Sequence, residues 1–175
     1  MRELDVSAVR LPFEEVYRTH VQRVHAFCLS QVRHAADAED LTAEVFASAL
    51  AAWDRDGPTL DRVQAWLIGI ARNAAVDHYR RGRRRAVLAA VLGRHVDRQR
   101  LPDVESGVVV RDELARVLVQ LDQLRPRERL LIGLRVAADL SYAEIGDITQ
   151  LSEHAATVAT RRALARLRQR CEAVS

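Results

Sequence analysis

Apolar residues recur at helical spacing through the first half of the chain. They form three stripes, each typical of an amphipathic helix that packs one face against a core. The first stripe follows Pro12, the second begins near Asp37, and a loop at 54–59 precedes the third. Three matched stripes predict a small three-helix domain over residues 11–82. Their members are Phe13, Val16, Tyr17, His20, Val24, Phe27, Cys28; Leu41, Val45, Phe46, Ala49, Trp53; Val63, Trp66, Leu67, Ile70, Ala71, Ala74.

The helical period is lost after the third stripe. Three consecutive arginines at 83–85, and then Gly93, Pro102 and Ser106-Gly107, predict a linker over residues 83–107, in which Ala86–Leu92 could form a short helix. Helical spacing then returns and predicts a second domain over residues 108–172. Its first two stripes are separated by Arg125-Pro126 and consist of Leu114, Val117, Leu118, Leu121, Leu124; Leu130, Leu131, Leu134.

Two capped helices close the second domain. Ser141 with Glu144 three residues later is a capping box for a helix over Tyr142–Ile148, and Ser152 caps a last helix to about Arg170. Two helices joined by a tight turn predict a helix-turn-helix, whose second helix fits the DNA major groove. An ordinary basic surface helix is the alternative. The face toward the core should hold Ala156, Ala159, Ala163, Leu164 and Leu167, and the outer face Thr157, Val158, Arg161 and Arg162.

Charge is distributed unevenly, although the net charge is only +3. Residues 72–100 hold nine arginines against two acids, and residues 151–175 hold five against two. An acidic segment separates them. Two basic segments favour two contacts with a polyanion such as nucleic acid, and a solvated basic face is the alternative.

Several other function classes find little support. The two cysteines lie far apart without metal or redox spacing, which favours a reduced, cytoplasmic protein. We expect no membrane insertion, because no apolar run approaches the length of a span. Acids that begin a helix and a surface histidine explain His34, Asp37, Glu39 and Asp40 better than a metal site does. We therefore expect no metal site.

Aromatic and basic residues surround the loop between the second and third helices. Trp53 and Trp66 flank it, and Arg72, Asn73, Tyr79, Arg80 and Arg81 follow along the third helix. Stacking surfaces beside backbone-binding cations are what single-stranded DNA requires. For Trp66 we favour a place in the core.

Several ordered sequence blocks resemble extracytoplasmic-function (ECF) sigma factors of bacterial RNA polymerase. Ala38-Glu39-Asp40-Leu41, Glu44-Val45-Phe46 and Ala51-Ala52-Trp53 are similar to the AEDL…EVF…W signature of sigma region 2. The segment from Trp66 to Arg81 is similar to the WLxxIARNxxxDxxRR pattern of the same region. Leu121 to Arg129 and Leu140 to Ile145 resemble LxxLxPRER…LSYAEI of region 4, and Arg162 to Arg168 closes the match.

The resemblance implies an all-α protein of two small domains, region 2 and region 4, joined by a basic linker. Its partners would be promoter DNA, an anti-sigma factor and the polymerase core, through the clamp helices of the largest subunit and the flap of the beta subunit. Asp40 and Glu44 would bind core. The minus-10 element would contact Trp53, Asp54, Arg55, Asp56, Arg72, Asn73, Tyr79, Arg80 and Arg81, with a flipped base held in the loop at 54–61. The minus-35 element would contact Tyr142, Thr157, Val158, Arg161 and Arg162. These steps need no covalent chemistry, so the resemblance also implies no catalytic residue and no cofactor, and that the protein is not an enzyme.

The chain departs from the family pattern at four places. Ala43 replaces a glutamine of region 2, which removes a polar contact to core. Gln150 replaces glycine in the region 4 turn, at a cost of about 1 kcal/mol if its backbone is left-handed. Gly146 replaces alanine and should soften its helix by about 0.5–1 kcal/mol. The reading helix is less cationic than usual, so we expect an unusual or weak minus-35 preference.

Two other functions remain open at this point. The chain could be a helix-turn-helix regulator that binds DNA without engaging polymerase. It could also be a degenerate sigma factor that binds core without reading DNA. Binding to core polymerase separates the first alternative from a sigma factor.

Overall fold

Helices account for the regular structure of residues 11–91 and 108–173, which are the residues that this computed structural model describes. No strand occurs within those two ranges, so the predicted all-α class is confirmed. A 3₁₀ helix, Leu60–Arg62, precedes the third α-helix, and a π-helical segment, Gly133–Ala137, follows the fifth. The α-helices are α1 (Phe13–Val32), α2 (Ala35–Asp56), α3 (Val63–Val91), α4 (Val108–Asp122), α5 (Pro126–Ile132), α6 (Tyr142–Thr149) and α7 (Glu153–Glu172).

Helices α1, α2 and α3 form the N-terminal domain around one apolar core. Phe27 of α1, Val45 of α2 and Leu67 of α3 are each completely buried there. These positions belong to the three predicted stripes. Full burial of a side chain of this size stabilises a fold by about 1.5–3 kcal/mol, which explains why the stripes pack together.

Helix α3 is longer than the sequence predicts. It runs unbroken through Gly82 and the three arginines at 83–85 to Val91. Arginine and alanine are good helix formers, and no proline interrupts this stretch, so the lost apolar period does not end the helix. The expected boundary at residue 82 therefore falls inside a helix. Residues 92–107 of the expected linker lie outside the described residues.

Helices α4 to α7 form the C-terminal domain, which has a small core of its own. Leu118 and Leu121 of α4, Ile132 of α5 and Ala163 of α7 are buried together in it. Helix α4 ends at Asp122, before Pro126 begins α5. Pro126 is at the start of α5, where its missing N–H costs nothing.

The two domains also share a core, which the sequence did not indicate. Leu131, Leu134 and Ile145 of the C-terminal domain lie in the same buried cluster as Phe27 of α1 and Leu67 of α3. Another side of the C-terminal domain is thus packed on α1 and α3. The two predicted domains form one closed unit.

Gly133 allows a close approach between the domains. A Cβ atom at this position would lie 2.6 Å from the Ser30 Oγ and would collide with the Gln31 amide nitrogen. Both of those residues are buried on α1. Because real Cβ atoms are excluded at such distances, a larger residue at 133 requires the buried Ser30 and Gln31 side chains to move, or α1 and the π-helical segment to separate.

Polar contacts hold a second edge of the domain contact. The Arg23 guanidinium donates to the Gln64 side-chain oxygen at 2.7 Å, and the Gln64 amide donates to the Ala138 carbonyl at 2.5 Å. Arg23 also lies 3.7 Å from the Asp139 carboxylate. These contacts join α1 and the start of α3 to the loop before α6.

Candidate nucleic-acid and protein interface

An acidic patch, Asp40 and Glu44, lies on the exposed side of α2. The two carboxylates are one turn apart, next to the buried Leu41 and Val45. The Arg81 guanidinium of α3 donates to Glu44 Oε2 at 3.2 Å. The fold thus joins a residue expected to bind polymerase to one expected to bind DNA. An exposed pair of this kind contributes about 0–1 kcal/mol, so Glu44 can readily exchange Arg81 for another cation.

A groove of about 420 Å³ runs beside the acidic patch, between α1 and α2. Ala43 lies in it, at the position where the family pattern has glutamine. Tyr17, Val21 and Thr42 form part of its lining, so its surface there is largely apolar. At Ala43 the groove therefore offers a methyl contact in place of an amide hydrogen bond.

The loop between α2 and α3 makes a tight exit from α2 at Gly57. The Gly57 N–H donates to the Trp53 carbonyl at 3.1 Å, and a Cβ on Gly57 would collide with that same carbonyl. Further on, the Thr59 hydroxyl hydrogen-bonds to Asp61 and lowers the pKa of that carboxyl group. The loop therefore presents a carboxylate just before α3.

Trp53, which the resemblance places in the minus-10 set, is a core residue in this fold. It is 5 % exposed, and its indole packs edge-on against Phe13 at 5.7 Å and at a tilt against Trp66 at 5.9 Å between ring centroids. A ring enclosed in this way offers no face on which a base can stack. Trp66, for which a place in the core was favoured, is only half-buried and packs against that core.

Two other residues of the predicted minus-10 set lie at the surface beside this loop. Asp54 and Arg55 are exposed at the end of α2. For Asp56 only the backbone is described, as the last residue of that helix.

The residues of α3 that are predicted to bind minus-10 DNA lie on two different sides of the helix. Asn73 and Arg80, two turns apart, are exposed on one side, and Arg80 pairs with Asp77 at 3.5 Å. Arg72 and Tyr79, also two turns apart, line a cleft between the two domains. The predicted minus-10 residues of α3 are therefore divided between an outward face and the domain contact.

Tyr79 is engaged by both domains. Its hydroxyl donates to the Gln31 carbonyl and accepts a hydrogen bond from Arg33 at 2.5 Å. Two guanidinium groups lie against its ring, with Arg33 at 5.9 Å and Arg129 of α5 at 5.6 Å from the centroid. Cation–π contacts of this kind are worth about 0.5–2 kcal/mol each.

Asp122 at the end of α4 links the cations around Tyr79. The Arg33 Nε lies 2.8 Å from its carboxylate, and the Arg129 guanidinium lies 3.6 Å from the same oxygen. Arg33 follows α1 with a left-handed backbone, φ 61°, which turns its side chain toward α4. Arg33, Asp122 and Arg129 therefore stabilise the contact between the two domains at this edge.

Sequence reasoning missed the roles of Gln31, Arg33, Asp122 and Arg129. Several of the contacts that define them join positions in different domains, such as Arg33 with Asp122 and Gln31 with Arg129. The only available signal was the polar character of Gln31 and Arg129, which interrupts otherwise apolar stripes. That signal does not identify their partners.

The helix-turn-helix of α6 and α7 forms as the capping residues predict. Ser141 Oγ accepts the Glu144 N–H at 3.3 Å, while the Ser141 N–H donates to the Glu144 carboxylate at 2.8 Å. Ser152 Oγ accepts the Ala155 N–H at 3.2 Å at the start of α7. These caps define where both helices begin.

The turn between α6 and α7 depends on Gly146 and Gln150 together. Gln150 has a left-handed backbone, φ 58° and ψ 39°, as its position suggested. Gly146 was expected only to soften α6, but it also shapes the turn, which corrects the expectation. A Cβ on Gly146 would lie 2.7 Å from the Leu151 carbonyl oxygen, so glycine is required for the chain to pass close to α6.

Replacing Gln150 with glycine is expected to stabilise the protein by about 0.5–1 kcal/mol, because glycine adopts a left-handed backbone without steric cost. Urea unfolding of both forms measures the difference. Ser48→Gly, at an exposed position inside α2, is the matched control and should destabilise by a similar amount. A Gln150→Gly protein less stable than the original would contradict this role of the turn.

The outer face of α7 is only partly as expected. Arg161 and Arg162 are exposed, whereas Thr157 and Val158 are half-buried. The Thr157 hydroxyl donates to the Glu153 carbonyl at 2.9 Å, inside its own helix. Tyr142 at the start of α6 is also half-buried, with the Arg135 guanidinium 5.4 Å from its ring centroid. The two arginines are the most accessible members of the predicted minus-35 set.

Two other kinds of site are not found within the described ranges. There, no helix is long and apolar enough to cross a membrane, and no group of three metal-binding side chains could hold an ion. His34 caps α2, where its Nδ1 accepts the Asp37 N–H at 3.3 Å.

Models of two protein families match the chain, in the order of the two domains. Sigma-70 region 2 matches residues 16–85, which fall within α1 to α3. Sigma-70 region 4 matches residues 120–169, from the end of α4 through most of α7. Together they cover both helical domains.

Individual relatives give the same result. RNA polymerase sigma factor CarQ of Myxococcus xanthus is 32 % identical over 90 % of this chain and 87 % of its own length. ECF RNA polymerase sigma factor SigF of Caulobacter vibrioides is 34 % identical over 85 % and 79 %. The fold matches the sigma factor RpoE in its co-crystal with the anti-sigma factor NepR from Bartonella quintana, with a TM-score of 0.69, 23 % identity, and coverage of 91 % and 96 %. The chain belongs to the ECF family of RNA polymerase sigma factors.

Proposed function

We propose that this sigma factor divides promoter recognition between its two domains. The C-terminal domain reads the minus-35 duplex, and the N-terminal domain binds core polymerase and the melted minus-10 strand. The observation that carries the proposal is the capped helix-turn-helix, which holds Arg161 and Arg162 outward on α7. All of these steps are binding events, so no catalytic residue or cofactor is involved. The protein works in the cytoplasm, where its polymerase partner is.

Capture of the minus-10 strand is assigned to the loop after α2 and the outward face of α3. Asp54, Arg55 and Asp56 begin the loop that receives a flipped base, and Asn73 and Arg80 hold the strand beside it. Unstacking one base costs only a few kcal/mol, which contacts to the flipped base can offset. Trp53 supports the loop from below as part of the core.

The domain contact adds a condition to promoter binding. Tyr79 belongs to the proposed minus-10 set, yet Arg129 of the C-terminal domain lies against its ring. Tyr79 keeps 39 % of its surface exposed, and Arg129 must move away before the ring face that it covers can stack on DNA. We therefore assign the closed form to the protein before it binds DNA, and a separated form to the promoter complex.

An anti-sigma factor is proposed as a further partner. The structural neighbour from Bartonella quintana is bound to an anti-sigma factor, and it matches this chain across both domains. We extend that class of partner to this chain. Its identity and its signal are left to experiment.

Removing the acidic patch is expected to weaken binding to core polymerase about tenfold or more, because the double variant Asp40→Ala, Glu44→Ala loses two charges at the proposed contact. Affinity for purified core, measured by fluorescence anisotropy, gives the answer. The control is Glu14→Ala with Glu15→Ala, which removes two exposed carboxylates from α1. Equal affinity of both double variants would show that α2 does not form the polymerase contact.

A further inference from the structure

A cleft of about 300 Å³ lies between the two domains, beside the buried contact. Its walls come from α1, α3, α5 and α6, so each domain contributes to it. Phe27, Ala75, Val76 and Leu130 make part of the lining apolar. This volume is at the lower end of the range for sites that bind small molecules.

The same cleft is lined by three arginines, Arg72, Arg127 and Arg129, and by no acidic residue within the described chain. Arg129 is only 5 % exposed. Burial is the main cause that lowers the pKa of its guanidinium; Tyr79 and Asp122 raise the pKa, and the nearby charge of Arg33 lowers it. An anion in the cleft would offset the effects of burial and of Arg33.

Two donors in this cleft lack acceptors. Among the described residues, neither the Arg72 Nε nor the Arg129 Nε has a hydrogen-bond partner, although both atoms are buried. Elsewhere on Arg129, one terminal nitrogen donates to the Leu121 carbonyl at 3.4 Å and pairs with Asp122 at 3.6 Å. Buried N–H groups are normally satisfied, so two exceptions on arginines of one cleft indicate an acceptor that residues 11–91 and 108–173 do not supply.

We propose that this cleft binds a small organic anion, with a carboxylate or phosphate group on an apolar body. The anionic oxygens accept hydrogen bonds from Arg72 and Arg129, since guanidinium groups bind such anions with paired, charge-assisted hydrogen bonds. The apolar body packs against Val76 and Leu130. Because both domains form the cleft, the anion binds the closed form and stabilises it by linkage.

The proposal has a regulatory consequence that rests on the proposed function. Arg72 and Tyr79 belong to the minus-10 set and line the cleft, so a bound anion competes with promoter DNA for them. It also holds the domains in the form that DNA binding must open. A metabolite of this chemical class would therefore reduce transcription from the promoters of this factor.

Isothermal titration calorimetry of the full chain tests the proposal with four probes: benzoate, phenyl phosphate, neutral benzyl alcohol and inorganic phosphate. We expect one molecule of benzoate or phenyl phosphate to bind per chain, about tenfold more tightly than either benzyl alcohol or inorganic phosphate. The two organic anions distinguish a carboxylate from a phosphate ligand. Equal binding of benzyl alcohol, equal binding of inorganic phosphate, or no binding up to about 10 mM would overturn the proposal.

Two variants locate the site. Arg72→Met should weaken binding of the organic anion about tenfold, and Val76→Glu should abolish it by placing a carboxylate in the cleft. Val76 is 39 % exposed, so its replacement leaves the core intact. Arg18→Met, an exposed arginine on the far part of α1, should bind as the original does. Unchanged binding in Arg72→Met or Val76→Glu would reject the cleft, whereas transcription without any anion tests the proposed function separately.

Discussion

Replacing Gly133 with leucine is expected to separate the two domains. The new side chain would collide with Ser30, Gln31 and Phe27 on α1, where even a Cβ atom has no room. Overpacking of this kind costs about 1–3 kcal/mol, enough to shift a closed form toward an open one by about tenfold to a hundredfold. Small-angle X-ray scattering should show a larger radius of gyration, and holoenzyme affinity for promoter DNA should rise as Tyr79 is released.

Gly82→Leu is the matched control, because a Cβ at this exposed position of α3 meets no atom within 4 Å. Its scattering should equal that of the original protein. Circular dichroism establishes that both variants remain helical. A folded Gly133→Leu protein with unchanged scattering would refute the role of Gly133 in closing the domains, and unchanged promoter affinity in an opened protein would refute the occlusion of Tyr79.

The double variant Arg161→Ala, Arg162→Ala is expected to lose about tenfold to a hundredfold in promoter affinity. These two side chains are the exposed cations on the outer face of α7. Each arginine that contacts a phosphate contributes about one unit to the salt dependence, so the slope of log affinity against log salt should fall by up to about two. Fluorescence anisotropy of holoenzyme on a promoter fragment, over a series of salt concentrations, measures both quantities.

Arg168→Ala with Arg170→Ala removes the same charge from the exposed end of the same helix, and should have a smaller effect. If both double variants lose promoter affinity equally, general electrostatic attraction rather than groove contact explains the role of α7. If neither differs from the original protein, the reading helix has been assigned to the wrong element.

Local signals predicted much of this fold. Ser141, Glu144 and Ser152 define helix ends through hydrogen bonds within three residues, so the limits of α6 and α7 could be read from the sequence. The π-helical segment at 133–137 and the extension of α3 to Val91 could not, because no local cap or proline specifies them. The helical spacing of apolar residues alone underestimates the length of a helix whose last turns are exposed.

The sequence predicted some residues of the candidate site and missed others. The acidic patch and the two arginines of α7 lie at the surface as expected, because their neighbours in sequence are apolar and take the core positions. Trp53 could not be assigned, since an aromatic residue beside a loop suits a core as well as a stacking surface. The contact of Tyr79 with Arg129 depends on how two domains pack, and no pattern within either domain encodes it.

Promoter-specific initiation is the central claim, and run-off transcription with purified core polymerase tests it most directly. Genomic DNA fragments serve as templates, and transcript ends are mapped. We expect discrete transcripts that appear only when this protein is added, with start sites downstream of a shared pair of sequence elements. If no transcript rises above that of core alone, although the protein binds DNA, the chain would act as a DNA-binding regulator, and that result would contradict promoter-specific initiation.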